Sequence, residues 1–552
     1  VLPGVLAGAH LAGLLFFLNP ALPFRLVPLG RGVLAYGALL GGASLLLHLP
    51  WLRRRRRGAA RFLPWSLAAV LLGFCIVDAA QASFYAYYLP SGINVRLLKA
   101  AVWLALAALI LLSTAVAHGD RRPYGRASRW AVALVPLLSL YVIVERRESY
   151  QPRPEPTPLA AVVEGQRQLE LFVVGIDSAT LDALLPLAEQ GRLPFFAALL
   201  REGSYARLRS FTPTRAQPLW TTLATGKYPH RHGVRGNQLV PAPFLFRGAE
   251  LQLLPVGIGF ARWGLFGAAP RAVGRPRRQA LALWEILARL GTSPGVVGWP
   301  EATPAPRGVA FAVSDGFFAG LPGQVSPPSL EQRVAASRPT ADQIGEALPG
   351  ALGTPPLAPV QAAAEQDLWR DGVTRLLLDE GAPPSALFLR LPGLRQVARR
   401  WFGGYVAHEL EGDSSARAAA AAGRVEGYYR HLDDVLARLW DRGSGDRLFA
   451  VVSPYGTNAP SRWRRVRSLG RLPLEGVLTG SADGVLLLRG DGVRAGSFVG
   501  EARIEDVTPT LLYALGLPVG RDMDGRALTG AFEPSFLATH PLSFVPSYEA
   551  LR

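Results

Sequence analysis

Five apolar stretches crowd into roughly the first 150 residues, at 2–18, 32–52, 62–82, 97–117 and 130–144. Most approach the ~20 residues a helix needs to cross a hydrocarbon layer ~30 Å thick, and only a helix satisfies its own backbone there. The first and fifth are the shortest. Further spans follow the first, so it is expected to stay in place rather than be cleaved as a signal peptide. A chain of 552 residues also exceeds one ordinary core, so at least one further unit is required.

Arginine sets the expected orientation, because positive loops stay in the cytoplasm. The loop after the second stretch carries Arg53–Arg57 and Arg61, and the loop after the fourth carries Arg121, Arg122, Arg126 and Arg129. The intervening loops hold only Arg25 and Arg31, then Arg96 and Lys99. Alternation puts the N-terminus inside and everything after the fifth span outside. Phe84, Tyr85, Tyr87 and Tyr88 fall where an interfacial aromatic belt is expected. Of the ionisable residues within spans, Asp78 is expected near headgroups or Arg96, His48 near the cytoplasmic end, and His10 as a neutral, hydrogen-bonded bundle residue.

The formal net charge of +18 is almost all arginine, since Lys99 and Lys227 are the only lysines. Much of the excess flanks apolar spans, the rest lacks interleaved aromatics, and no nucleic-acid-binding motif is present. Nucleic acid is therefore not an expected partner. A single cysteine, Cys75, excludes a disulfide within the chain and any cysteine-based metal site.

The prolines between Glu145 and Gln168 favour an extended spacer. The expected division is a transmembrane domain at 1–146, a Pro-rich linker at 147–168 and a soluble domain at 169–552. In the last, strands are expected at 169–178, 295–298, 447–452 and 484–488, with helices at 193–202, 279–290, 424–439 and 504–515. ATLDALLPLAEQG, directly after the first strand, also has helical periodicity. This alternation predicts an α/β fold with a mostly parallel sheet covered on both faces. Ligands of such sheets collect at the carboxyl ends of strands. Asp177, the segment 213–222 and the segment 453–456 occupy those positions.

Five stretches carry a resemblance: VVGIDSATLDALLPL with GRLPFFAALLREGSYARLRS, FTPTRAQPLWTTLATGKYPHRHGV, VVGWPEATPAPRGVAFAVSDGFF, VEGYYRHLDDVLARL, and DVTPTLLYALGLPVGRDMDGRAL. Together, over about 169–529, they resemble the alkaline phosphatase superfamily, in its bacterial type I phosphodiesterase/nucleotide pyrophosphatase branch. The resemblance implies an α/β/α domain with two metal ions, usually zinc, that polarise a phosphoryl oxygen and activate a Ser or Thr nucleophile.

Asp177 matches the first metal ligand. The nucleophile pattern PT-x-S-x-P-x-W-T is matched by PTRAQPLWT, with Pro213, Thr214, Pro218, Trp220 and Thr221 in place and Ala216 at the nucleophile. Gly393 stands for an aspartate ligand and Val397 or Ala398 for the histidine that follows it. The SDHG pattern is replaced by Ser453-Pro454-Tyr455-Gly456, and a last histidine by a residue within 480–482. Alanine cannot attack phosphorus, and proline and glycine offer no side-chain ligand, whereas zinc requires three or four protein contacts.

The expectation is thus a catalytically degenerate, membrane-anchored homologue that acts as a binding or assembly module. Its expected seat is the bacterial cytoplasmic membrane, with a periplasmic domain and no bound cofactor. Expected partners are membrane lipids around 1–146 and an envelope protein or phosphate-bearing ligand, with Arg215 and Lys227 as candidate anion-binding residues. The alternative is an active phosphodiesterase or phosphoryl-group transferase on envelope lipids or glycans, with a rebuilt site. For such a rebuilt site Thr214, Thr221, Thr222, His230, His232 and Asp315 are the nearby candidates; each also has a structural reading in a turn, a helix terminus or a post-strand loop. His408, His431 and His540 are read as surface or helix-face residues.

Overall fold

In the computed structural model the described residues are 1–54, 59–118, 124–144, 167, 169–265, 269–353, 356–380, 384–443, 446–461, 474–477 and 483–552. Most of the Pro-rich linker, part of both arginine-rich loops and positions 480–482 lie outside them. The chain forms two compact units, one of residues 1–152 with 235–273 and one of residues 153–234 with 274–552.

In the second unit the apolar runs pair into a nine-stranded sheet among the described residues. From one edge its order is β12 (Ser497–Arg503), β2 (Ser204–Arg209), β11 (Gly484–Gly490), β10 (Arg447–Ser453), β1 (Glu170–Ile176), β9 (Ala386–Leu391), β6 (Pro294–Val297), β7 (Phe311–Val313) and β8 (Val325–Ser326). Only β11 and β8 run against their neighbours. Every residue of β1 after Glu170 is buried, and Val173 lies opposite Ala450 of β10 and Phe388 of β9. A strand covered on both faces reads as a continuous apolar run, which is why ELFVVGI sits at the centre.

One face of β1, through Phe172, Val174 and Ile176, joins a core with α7 (Leu181–Glu189), α8 (Pro194–Glu202) and the helices Ala358–Glu380, Leu394–Tyr405 and Ala416–Arg442. The Asp433 carboxylate caps α8 from outside, accepting from the amides of Phe195 (3.0 Å) and Phe196 (2.7 Å). On the other face Trp220 of α9 (Ala216–Thr225) packs edge-on against Trp299, their centroids 5.0 Å apart. Trp220 lies so close to β1 that a Cβ on Gly175 would meet its ring at 2.7 Å. Glycine in the middle of that strand is a packing requirement.

Element ends differ from the sequence reading where local chemistry decides them. The helix expected at 424–439 runs Ala416–Arg442, because the alanine tract favours helix and Ser415 caps it by accepting from the Ala418 amide at 3.3 Å. The one expected at 504–515 splits into a 3₁₀ turn, Ile504–Asp506, and a helix, Val507–Ala514, with the Asp506 carboxylate accepting from Arg503 N at 2.9 Å.

The first unit contains α1 (Leu2–Leu18), α2 (Leu26–Arg54), α3 (Ala59–Phe84), α4 (Ser91–Ala117), α5 (Arg126–Ser139) and α6 (Tyr141–Val144). Four stretches are long and apolar enough to cross a membrane, Leu26–Leu47, Phe62–Phe84, Ser91–Ala117 and Arg126–Ile143, and Leu2–Leu18 is a shorter apolar helix. Small residues bring α1 and α2 together: a Cβ on Gly4 would lie 2.1 Å from Leu40 O, and one on Gly8 2.3 Å from Gly37 N. His10 is buried and its Nε2 lies 3.1 Å from Ser139 Oγ. Asp78 is buried in α3.

The excursion 235–273 packs with these helices, so the span 169–552 is not one continuous compact body. It carries β3 (Gln238–Pro241), β4 (Glu250–Leu251) and β5 (Arg271–Ala272), antiparallel in the order β4-β3-β5. One member of the expected aromatic belt is held by it. Tyr85 and Tyr88 are fully buried, and Tyr85 donates to Leu254 O at 2.9 Å, while Phe84 and Tyr87 stay exposed.

Candidate active-site cleft

Parallel strands bring their carboxyl ends to one edge, and the residues that follow β1, β6, β7, β9 and β10 converge there. Asp177 follows β1, Glu301 lies just past β6, Asp315 past β7, Gly393 past β9, and Pro454 and Tyr455 past β10. Asp177 is wholly buried, and four donors meet its two oxygens. Arg390 approaches it side-on, Nε to Oδ1 at 2.9 Å and Nη2 to Oδ2 at 2.8 Å. Trp220 Nε1 donates to Oδ1 at 2.8 Å and Tyr455 Oη to Oδ2 at 2.9 Å. Burial, then the Asp177 charge, pushes the Tyr455 phenol far above its usual range, which keeps the proton it donates.

Arg390 projects from the buried strand ALFLRL and extends the network. Its Nη1 reaches Asp315 Oδ2 at 2.9 Å, and Arg370 Nη2 reaches Asp315 Oδ1 at 2.7 Å. Burial opposes the charge on Arg390, and the carboxylates of Asp177 and Asp315 more than offset it, so the guanidinium stays charged.

Beside Gly393 the space is taken. Its amide donates to Asp367 Oδ2 at 2.8 Å, Tyr428 Oη donates to the same oxygen at 2.8 Å, and a Cβ on Gly393 would lie 1.8 Å from Tyr428 Oη. A carboxylate from the helix Ala358–Glu380 thus lies against the position matched to a family aspartate. Burial raises Asp367 to about 7, against the lowering influence of Arg370, 3.6 Å from Oδ1. Val397 and Ala398, on the next helix, are buried among apolar side chains.

Ala216 is the first residue of α9, with half-buried Arg215 as its N-cap residue. The neighbouring hydroxyls have structural partners. Thr221 donates to Gln217 O and lies 2.9 Å from Glu301 Oε1, whose carboxyl burial raises to about 7. Thr222 Oγ1 lies 3.1 Å from His232 Nε2, and His232 Nδ1 accepts from Val234 N at 3.2 Å. This fixes His232 as the neutral tautomer that donates from Nε2. Thr214 Oγ1 is buried with no hydrogen-bond partner among the described residues.

Lys227 departs from its expected role. Its ammonium is buried between Asp522 (2.5 Å) and Glu549 (2.9 Å), whose carboxylates already compensate its charge. His431 is a buried helix-face residue whose pKa burial lowers to about 4, and His408 Nδ1 lies 2.8 Å from Asp413 O.

These groups do not fit the two-zinc centre that the resemblance implies. Among the described residues no three His, Cys, Asp or Glu side chains are placed to hold one ion. Asp177, the matched ligand, is engaged by a guanidinium, an indole and a phenol. Sequence reading missed Arg390, Arg370, Asp367 and Glu301. An arginine inside the apolar strand ALFLRL was the available signal, since a charge there is buried only with a partner.

Solved structures with related folds include murine ectonucleotide pyrophosphatase/phosphodiesterase 5, 12% identical, covering 63% of this chain and 95% of that one with a TM-score of 0.37. The phosphonate monoester hydrolase of Silicibacter pomeroyi is 18% identical, covering 66% of this chain and 78% of that one, with a TM-score of 0.37. Phosphonoacetate hydrolase of Sinorhizobium meliloti 1021 is 16% identical, covering 56% and 65%, with a TM-score of 0.35. No curated protein matches the sequence. The family model for type I phosphodiesterase / nucleotide pyrophosphatase matches residues 171–490, more than half of the chain and the whole convergent edge just described. On that match this chain, with its apolar helical region, belongs to the type I phosphodiesterase / nucleotide pyrophosphatase family.

Proposed function

We propose that this chain is a membrane-anchored, extracytoplasmic member of its family that binds or assembles rather than hydrolyses. The observation that carries the reading is the state of Asp177, whose two oxygens are shared among Arg390, Trp220 and Tyr455. A guanidinium supplies positive charge to that carboxylate but cannot coordinate a hydroxyl or water and so generate a nucleophile, as a metal ion does. Ala216 offers no nucleophile, and loss of the nucleophile alone costs about a millionfold in a well-studied protease.

The arginine-rich loops favour a cytoplasmic N-terminus and an α/β unit on the periplasmic side of a bacterial cytoplasmic membrane. Membrane lipids then surround the N-terminal helices. The partner of the α/β unit is an envelope protein or a phosphate-bearing ligand, the latter drawn by Arg215 at the start of α9.

Full-length protein purified in detergent, supplied with zinc and bis-p-nitrophenyl phosphate, tests the reading. The expected result is no stoichiometric zinc by elemental analysis and no turnover above that of Asp177→Ala. Zinc-dependent turnover abolished by Asp177→Ala would overturn it in favour of a working, rebuilt site on envelope lipids or glycans.

A further inference from the structure

The excursion 235–273 interrupts a soluble-type fold with PAPFLFRGAE and LPVGIGFARWGLF, sequences more apolar than a periplasmic loop needs. Its irregular backbone is satisfied by polar side chains within, or directly after, otherwise apolar helices. Asn19 donates to Leu253 O at 2.8 Å and accepts from Gln252 N at 2.8 Å and Leu253 N at 3.0 Å. Gln81 does the same for one residue, donating to Val256 O at 3.0 Å and accepting from Val256 N at 3.1 Å. Tyr36 donates to Gly264 O at 2.6 Å. Asn19, Tyr36, Gln81 and Tyr85 are all more than nine-tenths buried.

Depth follows from helix geometry. Leu245 lies beside Gly32 of α2, where a Cβ would meet its Cδ2 at 3.1 Å and Ala12 Cβ of α1 at 3.2 Å. Gly32 is six residues into α2 and Ala12 six residues from the end of α1, so Leu245 sits about 9 Å below both helix ends at 1.5 Å per residue. Tyr36, whose ring packs against Phe244 and Phe260 at 5.6 Å each, is about 15 Å in by the same measure. Half of a bilayer's hydrocarbon thickness is also about 15 Å.

From these observations we infer that residues 242–265 form a re-entrant segment that enters the outer leaflet beside α1, α2 and α3 and contacts phospholipid. Non-helical backbone is tolerated within the hydrocarbon only where protein satisfies it; Tyr36 does so for Gly264 O at depth, while Asn19, Gln81 and Tyr85, at the C-terminal ends of α1 and α3, hold residues 252–256 where the segment enters. Exposed Trp263 and half-buried Phe246, Ile258 and Leu265 then face acyl chains, with exposed Arg247 and Arg262 reaching to phosphates. The segment meets α1 and α3 toward their C-terminal ends and α2 near its N-terminal end. The inference rests on the membrane reading above.

The test uses full-length Cys75→Ser protein in phosphatidylcholine vesicles, with single nitroxide labels read for collision with oxygen and with a water-soluble nickel chelate. Labels at Trp263→Cys and Phe246→Cys are expected to be oxygen-accessible and chelate-protected, like a control at Leu109→Cys, which is 60% exposed on α4. A label at Arg494→Cys of the α/β unit is expected to be chelate-accessible. Adding Asn19→Leu is expected to raise chelate access at position 263 several-fold. Chelate access at 263 and 246 equal to that at 494, with 109 protected, overturns the re-entrant segment alone. Access at 109 as well overturns the membrane reading first.

Discussion

Asp177 and Arg390 are a buried pair whose members depend on each other. Removing one partner of such a pair leaves an uncompensated charge and costs roughly 3–5 kcal/mol, whereas replacing both by apolar side chains of similar size costs far less. Asp177→Ala and Arg390→Ala are each expected to lower the urea midpoint strongly, and Asp177→Leu/Arg390→Met to lose less than their sum, by tryptophan fluorescence in detergent. Glu301 behaves differently, because burial raises its carboxyl to about 7, above the usual value of 4.5. The folded state holds a proton that the unfolded state releases near 4.5. The stability this proton supplies is complete below about 4.5 and is lost as pH rises through about 7, to the order of 3 kcal/mol. Glu301→Gln keeps a neutral, hydrogen-bonding side chain at every pH, so its Tm is expected to fall less than that of the native protein between pH 5 and 8. Equal slopes would place the Glu301 carboxyl in its ordinary range.

Helices and strands here meet where small residues let them. Gly8 of α1 faces Gly37 of α2 with 2.3 Å between a would-be Cβ and a backbone nitrogen, so no side chain fits without parting the helices. Gly8→Ile is expected to cost about 1–3 kcal/mol, as overpacking does, and to appear as a lower Tm of the full chain in detergent. An unchanged Tm would mean that α1 and α2 do not pack at that point. Gly175 under Trp220 is the strand counterpart. The sequence made both elements legible, because apolar runs of membrane length and runs buried on two faces are local patterns. It also made element types legible better than their ends. The alanine tract before Val425 and the Ser415 cap carry one helix back to Ala416, and the Asp506 carboxylate, accepting from Arg503 N, closes the 3₁₀ turn with which another begins.

At the scale of the molecule a mostly parallel sheet brings its strand ends to one edge, and Arg390, Trp220 and Tyr455 fill that edge from within. Zinc is therefore expected to leave the Tm of the full chain unmoved. A site saturated at a hundred times its Kd would add about 2.7 kcal/mol, and a zinc-dependent rise of several degrees that Asp177→Ala removes would contradict the filled edge. The order of strands and helices, the membrane-length apolar runs and the presence of Ala216 where the resemblance expects a nucleophile were properties of the sequence alone. Each depends on a residue's own chemistry or on neighbours a few positions away. That Arg390 would meet Asp177, 213 residues earlier, and that Asn19 would hold the backbone of Leu253, 234 residues later, was decided only by the tertiary structure. Such pairings follow from how the sheet and the bundle close in space, and no local pattern encodes which buried polar group will answer another.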